Sequence, residues 1–243
     1  MGIDVFGKAL LDYQKGVSKG DLTTYLRLRG YEDVIIDTMS TAYLFRGFGT
    51  MLQLEQTALQ QCRGKILDIG CGAGSHSLFL QESGKEVVAL DSSPGAVETC
   101  RLRGLRQVEH TPVTDYHGTK FDTLLLLMNG IGISGRLGRL KGFLGHLKSL
   151  LAKNGQILLD SSDIRYMYQE NESSTFHIPQ GAPYYGEARF VMEYQGEKSG
   201  PFPWLYLDCD RLRKVAASVD LSFELVGLGD HFDYLAKLTH KSY

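Results

Sequence analysis

KILDIGCGAGSHSLFL, residues 65–80, is the stretch on which the fold turns. KILDI is a short apolar run ending in an acid at Asp68. Gly70, Gly72 and Gly74 follow, and HSLFLQES then has helix length, closed by Gly84. A strand that turns into a helix through alternate glycines bends sharply and leaves the backbone open to close approach by a ligand. A second strand, EVVALD, ends at Asp91, 21 residues after Gly70. A carboxylate at that strand tip can accept hydrogen bonds from two ribose hydroxyls.

Working outward, the alternation continues. Ser93 and Pro94 suit the N-cap and first position of a helix that Gly104 closes. RQVEH is a weaker strand, and FDTLLLLM is a strand buried on both faces by its continuous apolar run. Residues 137–153 predict a helix stopped by Asn154-Gly155, followed by the strand QILLD. Asp208 or Asp210 caps a helix carrying Leu212, Val215, Ala216 and Val219 on one face. The chain ends in LSFELVGLG and DYLAKLTH. Their short GDHF connection cannot make a parallel crossover, so they must form an antiparallel hairpin. This pattern is a doubly wound α/β fold. Residues 1–61 read as helical, with Thr50 and Gln53 resembling a capping box before TMLQLEQTALQQC. Residues 162–207 hold four of the six prolines and a crowd of aromatics, marking an insertion or lid in which ARFVMEYQG and PFPWLYLD pair around EKSG.

Composition narrows the function classes. The 243 residues suffice for one domain with its own core, at 43% hydrophobic and 22% charged. A net charge of −2 argues against a binder of nucleic acid driven by overall basicity. No apolar run approaches membrane-span length, and the first residues lack a signal-peptide pattern. The four cysteines, Cys62, Cys71, Cys100 and Cys209, are dispersed. They read as reduced thiols of a cytoplasmic protein, with no case for a metal site. Acidic residues outnumber basic ones in the insertion, which disfavours a polyanionic substrate.

The glycine spacing bears on the ligand. A dinucleotide fingerprint is G-x-G-x-x-G, whereas here Gly70, Gly72 and Gly74 are followed by Ser75. Asp68 suits a region that binds an ammonium group better than one that binds pyrophosphate. With LDIGCGAG, VVALDSSPGAVE, FDTLLLLMNG and the terminal hairpin, the chain resembles the class I S-adenosylmethionine-dependent methyltransferases, in particular a bacterial small-molecule group with an N-terminal helical cap. The resemblance covers about 62–161 and 208–243. It implies a Rossmann-like seven-stranded sheet ordered 3-2-1-4-5-7-6 with the seventh strand antiparallel, and S-adenosylmethionine as cofactor. It also implies that Gly70, Cys71 and Gly72 contact the methionine part and that Asp91 holds the ribose beside Ser92. Thr114 and Asp115 would flank the adenine, although Asp115 also reads as a solvated loop residue. Met128 and Asn129 would line the cofactor–substrate boundary. Arg46 is a candidate partner for the cofactor carboxylate or an ordinary surface arginine.

The sequence departs from several subclasses. Asn129-Gly130-Ile131-Gly132 stands where base-methylating relatives carry Asn/Asp-Pro-Pro-aromatic, and no Pro-Cys dipeptide offers a nucleophile. Asp160 and Asp163 flank the tip of the fifth strand, but Asn129 at the fourth makes no metal cluster. His76 reads as a helix-capping residue before a substrate contact. His177 and His231 are either surface residues or bases. Catalytic candidates are therefore Asn129 and His177, and substrate candidates are Asn129, Tyr166, Tyr184, Tyr185 and Trp204. The expected activity is in-line methyl transfer to nitrogen or oxygen of a small molecule, bound without membrane or nucleic acid. A nicotinamide-dependent oxidoreductase and a non-catalytic cofactor-binding protein are the alternatives.

Overall fold

The computed structural model describes residues 3–17, 20–31, 33–168 and 184–241. The N-terminal segment is not all helix. Helix α1 (Val5–Gln14) leads into strands β1 (Leu22–Leu28) and β2 (Ile35–Met39), then α2 (Thr41–Leu44) and α3 (Gln53–Gln61). In β1, Leu22, Thr24, Leu26 and Leu28 are buried and the residues between them are not, as a half-buried strand requires. The start of α3 also differs from expectation. Leu52, not Thr50, is its N-cap; Glu55 reaches back to the Leu52 N–H at 3.3 Å, and the Thr50 hydroxyl donates to the Gly47 carbonyl at 3.0 Å.

From β3 (Lys65–Ile69) the chain alternates as read: α4 (Ser75–Glu82), β4 (Glu86–Asp91), α5 (Pro94–Leu102), β5 (Val108–His110), β6 (Phe121–Leu126), α6 (Leu137–Leu150) and β7 (Leu151–Ser162). Ser93 caps α5 by accepting from the Ala96 N–H. Helix α6 ends before Asn154-Gly155, because β7 already starts at Leu151, opposite Phe121. After the insertion strands β8 (Glu187–Tyr194), β9 (Glu197–Lys198) and β10 (Phe202–Leu205) come α7 (Cys209–Ala217), β11 (Leu221–Leu228) and β12 (Asp233–His240). Asp208 caps α7 by accepting from the Arg211 N–H.

The large sheet runs β11-β12-β7-β6-β3-β4-β5. Counting these strands in chain order gives 3-2-1-4-5-7-6. The seventh is antiparallel to both neighbours, as the hairpin argument demanded. Leu124, Leu125 and Leu126 of β6 are fully buried, so the central strand packs on both faces. A second, antiparallel sheet runs β10-β8-β1-β2, with β9 on β8. It joins the N-terminal segment to the insertion through β1 and β8, and Leu26, Leu28, Ala188 and Leu205 merge it with the main core. The two segments read separately in sequence are one structural layer. Phe190 lies opposite Phe202, so the expected insertion hairpin forms.

Asp4 docks α1 on α5. Its carboxylate caps α1 through the Gly7 N–H at 2.9 Å and also accepts from the Ser93 hydroxyl at 2.8 Å and the Gly95 N–H at 3.0 Å. The helices touch backbone to backbone here: a Cβ on Gly95 would lie 2.4 Å from the Gly7 carbonyl carbon. Gly95→Ala is therefore expected to destabilise the protein by about 1–3 kcal/mol through overpacking, read as a lower urea midpoint. An unchanged midpoint would show that α1 does not pack on α5 in solution.

Candidate functional site

A cavity of about 910 Å³ opens at the carboxyl ends of β3, β4 and β6, between the large sheet, α1 and the small sheet. Ligands in open α/β sheets bind at that end, in cavities of roughly 300–1,000 Å³. The glycine loop forms its floor. Gly70, Gly72 and Gly74 have φ of 73°, 54° and 79°. A Cβ on Gly74 would sit 2.8 Å from the Cys100 sulfur, so the third glycine lets α4 pack close to α5. Asp91 closes the loop: one oxygen accepts from the Gly72 N–H and the other from the Ser93 N–H, each at 2.9 Å. Burial pushes its pKa up, and those two N–H groups pull it back. Asp68 is buried and accepts from the Ser77 hydroxyl at 2.7 Å.

Opposite lies a cluster that the sequence did not reveal. Glu55 of α3 is buried and shares Oε2 between the Arg46 guanidinium and His76 Nε2, the latter at 2.7 Å. Burial alone would raise the Glu55 pKa, but His76 and Arg46 together hold it below the ordinary value. Arg46 also donates to the Tyr43 carbonyl at 2.7 Å and stacks on the Tyr43 ring at 3.9 Å. So Arg46 does line the cavity, but both terminal nitrogens are committed within the protein. That corrects its reading as a surface residue; its Nε is buried and, among the described residues, has no hydrogen-bond partner. His76, read as a helix cap, is a cavity residue paired to a carboxylate from another helix.

At the tip of β6, Met128 and Asn129 both adopt left-handed backbone, φ 59° and 60°. Such strain costs roughly 1–3 kcal/mol per residue and persists only where the surroundings over-determine it. Asp160 supplies the constraint. Its half-buried carboxylate accepts from the N–H groups of Met128 at 3.1 Å, Asn129 at 2.7 Å and Gly130 at 3.4 Å. Asn129 in turn accepts from the Ser161 hydroxyl at 2.8 Å through Oδ1.

The cavity brings together Arg46, Asp68, Gly70, Cys71, Gly72, Asp91, Ser92, Thr114, Met128 and Trp204 from the sequence reading. It leaves out others. Asp115 is exposed and accepts from the Thr114 hydroxyl at 3.2 Å. Asn129 faces Ser161 and does not line the cavity. Tyr166 stacks on Phe232 at the surface. Tyr184 and Tyr185 are buried, donating to Asp208 at 2.6 Å and Asp163 at 2.8 Å, so they hold the insertion to the core. His177 lies outside the described residues. His76, Phe6, Met39, Met192 and Phe202 also line the cavity, and Glu55 holds His76 from outside it. Among the described residues no group of three or more His, Cys, Asp or Glu is placed to hold a metal, and no helix is long and apolar enough to cross a membrane.

A family model described as a methyltransferase domain matches residues 66–155. A crystal structure of an S-adenosylmethionine-dependent methyltransferase from Bacteroides fragilis, in complex with S-adenosyl-L-homocysteine, is 39% identical with a TM-score of 0.87, covering 98% of this chain and 94% of that one. The chain belongs to the S-adenosylmethionine-dependent methyltransferases. The sugar N-methyltransferase KedS8 from Streptoalloteichus, 14% identical, covers 88% of this chain and 98% of that one at a TM-score of 0.59. DesVI from Streptomyces venezuelae, 15% identical, covers 82% and 95% at the same score. These two share the fold. The nicotinamide and non-catalytic alternatives are set aside: this methyltransferase is an enzyme that uses S-adenosylmethionine. Its residues fit that cofactor. Positive-φ glycines leave the loop open, a carboxylate stands at the second strand tip, and the cavity is large enough for a nucleoside and an acceptor.

The Asp160 carboxylate is pushed up to about 7, chiefly by desolvation, with the Asn129 and Gly130 N–H groups pulling it down. An ordinary Asp titrates near 3.9. The folded state therefore binds this proton more tightly than the unfolded state. The resulting stabilisation is complete below about pH 4 and is lost as pH rises towards 7. Asp160→Asn has no such titration. Its stability relative to the wild type should rise between pH 4.5 and 8 in urea melts; a constant difference would mean that Asp160 stays ionised throughout.

Proposed function

We propose that this methyltransferase transfers a methyl group to nitrogen or oxygen of a small, partly apolar molecule. The observation that carries the reading is the wall facing the glycine loop. Met39 of β2, Met192 of β8, and Phe202 and Trp204 of β10 line it, with Ser199 as its polar member. The Trp204 indole lies so close to Gly132 that a Cβ there would fall 2.1 Å from Nε1, so its position is fixed against the turn that follows β6. Such a wall favours apolar and aromatic surface and offers little to a charged polymer.

When bound, the cofactor supplies a methyl group already activated on a sulfonium, and the protein's work is orientation and exclusion of water. In this reading the Gly70–Gly72 loop holds the methionine part, Asp91 accepts from the ribose hydroxyls, and Ser92 and Thr114 border the adenine. Met128 marks the boundary with the acceptor. The insertion and the N-terminal strands together form the cover that excludes water. His76, held through Nε2 by Glu55, keeps Nδ1 as its acceptor and is the group placed to take a proton from an amine or hydroxyl. The buried free thiols Cys62, Cys71 and Cys100 suit a reducing compartment, and we place the enzyme in the cytoplasm.

Two substitutions test the halves of the site separately. Asp91→Ala should weaken S-adenosylhomocysteine binding in titration calorimetry by tenfold or more, since a charged hydrogen bond is worth about 1.5–3 kcal/mol. Trp204→Ala should leave that affinity within about twofold and raise KM for the methyl acceptor found by screening amines, phenols and hydroxylated small molecules. A Trp204→Ala enzyme with unchanged acceptor kinetics would remove the small sheet from the substrate site.

A further inference from the structure

On the face of the small sheet turned away from the cofactor cavity is a second cleft of about 320 Å³, lined by Arg27, Arg29, Arg136, Arg189, Glu187 and Pro203 among others. It belongs to neither the cofactor nor the acceptor wall. Pro203 of β10 faces it, while the flanking Phe202 and Trp204 face the cavity. Arg27 of β1 and Arg189 of β8 are directly opposite in the antiparallel register, and both are exposed. Like charges in that position destabilise a sheet. The neighbouring pair shows the usual remedy: Arg29 binds Glu187 at 2.5 Å. Glu187 is consumed by that contact and by the Leu137 N–H at the start of α6, 3.1 Å away. Among the described residues no carboxylate pairs with Arg27, Arg136 or Arg189. Among the described residues the cleft therefore holds four arginines against one carboxylate, beside the positive end of a 14-residue helix.

We propose that this cleft is a binding site for a phosphoryl anion, carried by a small metabolite or free in solution. Guanidinium forks match phosphate oxygens two at a time, and arginines that face one another across strands are placed to grip one anion between them. The volume is at the low end of small-molecule sites and suits one or two phosphoryl groups. Bound anion would relieve the Arg27–Arg189 repulsion, so the empty site costs stability that the ligand returns. Because β10 presents opposite faces to the two pockets, an anion here stiffens the strand that carries Trp204 without entering the cofactor cavity.

The test uses inorganic pyrophosphate and inorganic phosphate as probes on the full chain. Titration calorimetry at low salt should show one pyrophosphate per chain, with no displacement by S-adenosylhomocysteine. The Arg27→Gln/Arg189→Gln double variant should lose tenfold or more of that affinity while binding S-adenosylhomocysteine as the wild type does. In thermal melts without ligand the double variant should unfold at a higher temperature than the wild type, and pyrophosphate should raise the wild-type midpoint only. If the anion is supplied by the acceptor itself, the double variant raises KM for a phosphorylated acceptor and not for its dephosphorylated form. If the anion is a separate ligand, both KM values stay put. Absence of binding at low salt, several equivalents per chain, displacement by S-adenosylhomocysteine, or undiminished affinity in the double variant would each overturn the proposal.

Discussion

A buried carboxylate must find donors or give up its charge, and that constraint shapes the whole carboxyl edge of the large sheet. Asp91, Asp160, Asp68 and Glu55 each meet it differently. Asp91 divides its oxygens between the N–H groups of Gly72 and Ser93, so the glycine loop and the start of α5 share one anchor. Asp160 gathers three successive N–H groups and thereby fixes two left-handed residues at the tip of β6. Asp68 uses the Ser77 hydroxyl, and Glu55 uses the Arg46 guanidinium and the His76 ring. Among the described residues it is Asp91 and Asp160 that accept from those backbone N–H groups, so the shape of both loops rests on them. The acids are thus structural even where a ligand later meets them. This is also why their pKa values move in different directions: backbone N–H groups only partly offset burial at Asp91 and Asp160, while the hydrogen bonds and attraction from His76 and Arg46 outweigh it at Glu55.

The large sheet was legible because its signals are local. FDTLLLLM announces a strand buried on both faces, and the four-residue GDHF link forces an antiparallel end to an otherwise parallel sheet. The N-terminal segment misled for a physical reason. LTTYLRL alternates cleanly, but β2, with IIDTM, is almost entirely exposed and has no buried face to give it a period. Strand β1 lies between β2 and β8, and β8 comes more than 150 residues later, so that second partner is invisible to any reading of neighbouring residues. Thr50 was plausible as a cap by residue type, yet its hydroxyl found the Gly47 carbonyl first and left capping to Glu55 acting on Leu52.

The floor of the cavity was legible for the same reason as the sheet: Gly70, Gly72 and Asp91 lie at fixed offsets from strand ends. The Arg46, Glu55 and His76 cluster was not, since it joins residues from α3, α4 and the turn after α2 that share no spacing. The aromatic insertion shows the converse error. Tyr184 and Tyr185 have the composition of a substrate pocket, but their hydroxyls are spent on Asp208 and Asp163, and they serve as core. Trp204 differs only in register, since its strand turns it towards the cavity. Composition marks where aromatics gather, and strand alternation decides which of them a ligand meets.

Strand alternation also explains why the insertion's net charge says little about what it binds. Its acidic excess is counted along the chain, whereas a ligand meets one face of a sheet. Pairing β8 with β1 places Arg189 opposite Arg27, and the turn before α6 adds Arg136, so three segments remote in sequence build a basic face inside a mildly acidic protein. The other face of the same strands is methionine and aromatic. A two-sided sheet with no helix between its faces transmits displacement directly, because the backbone of β10 is common to both. Pro203 and Trp204 are adjacent in sequence and point to opposite pockets, so a shift that closes one face on a ligand must move the wall of the other.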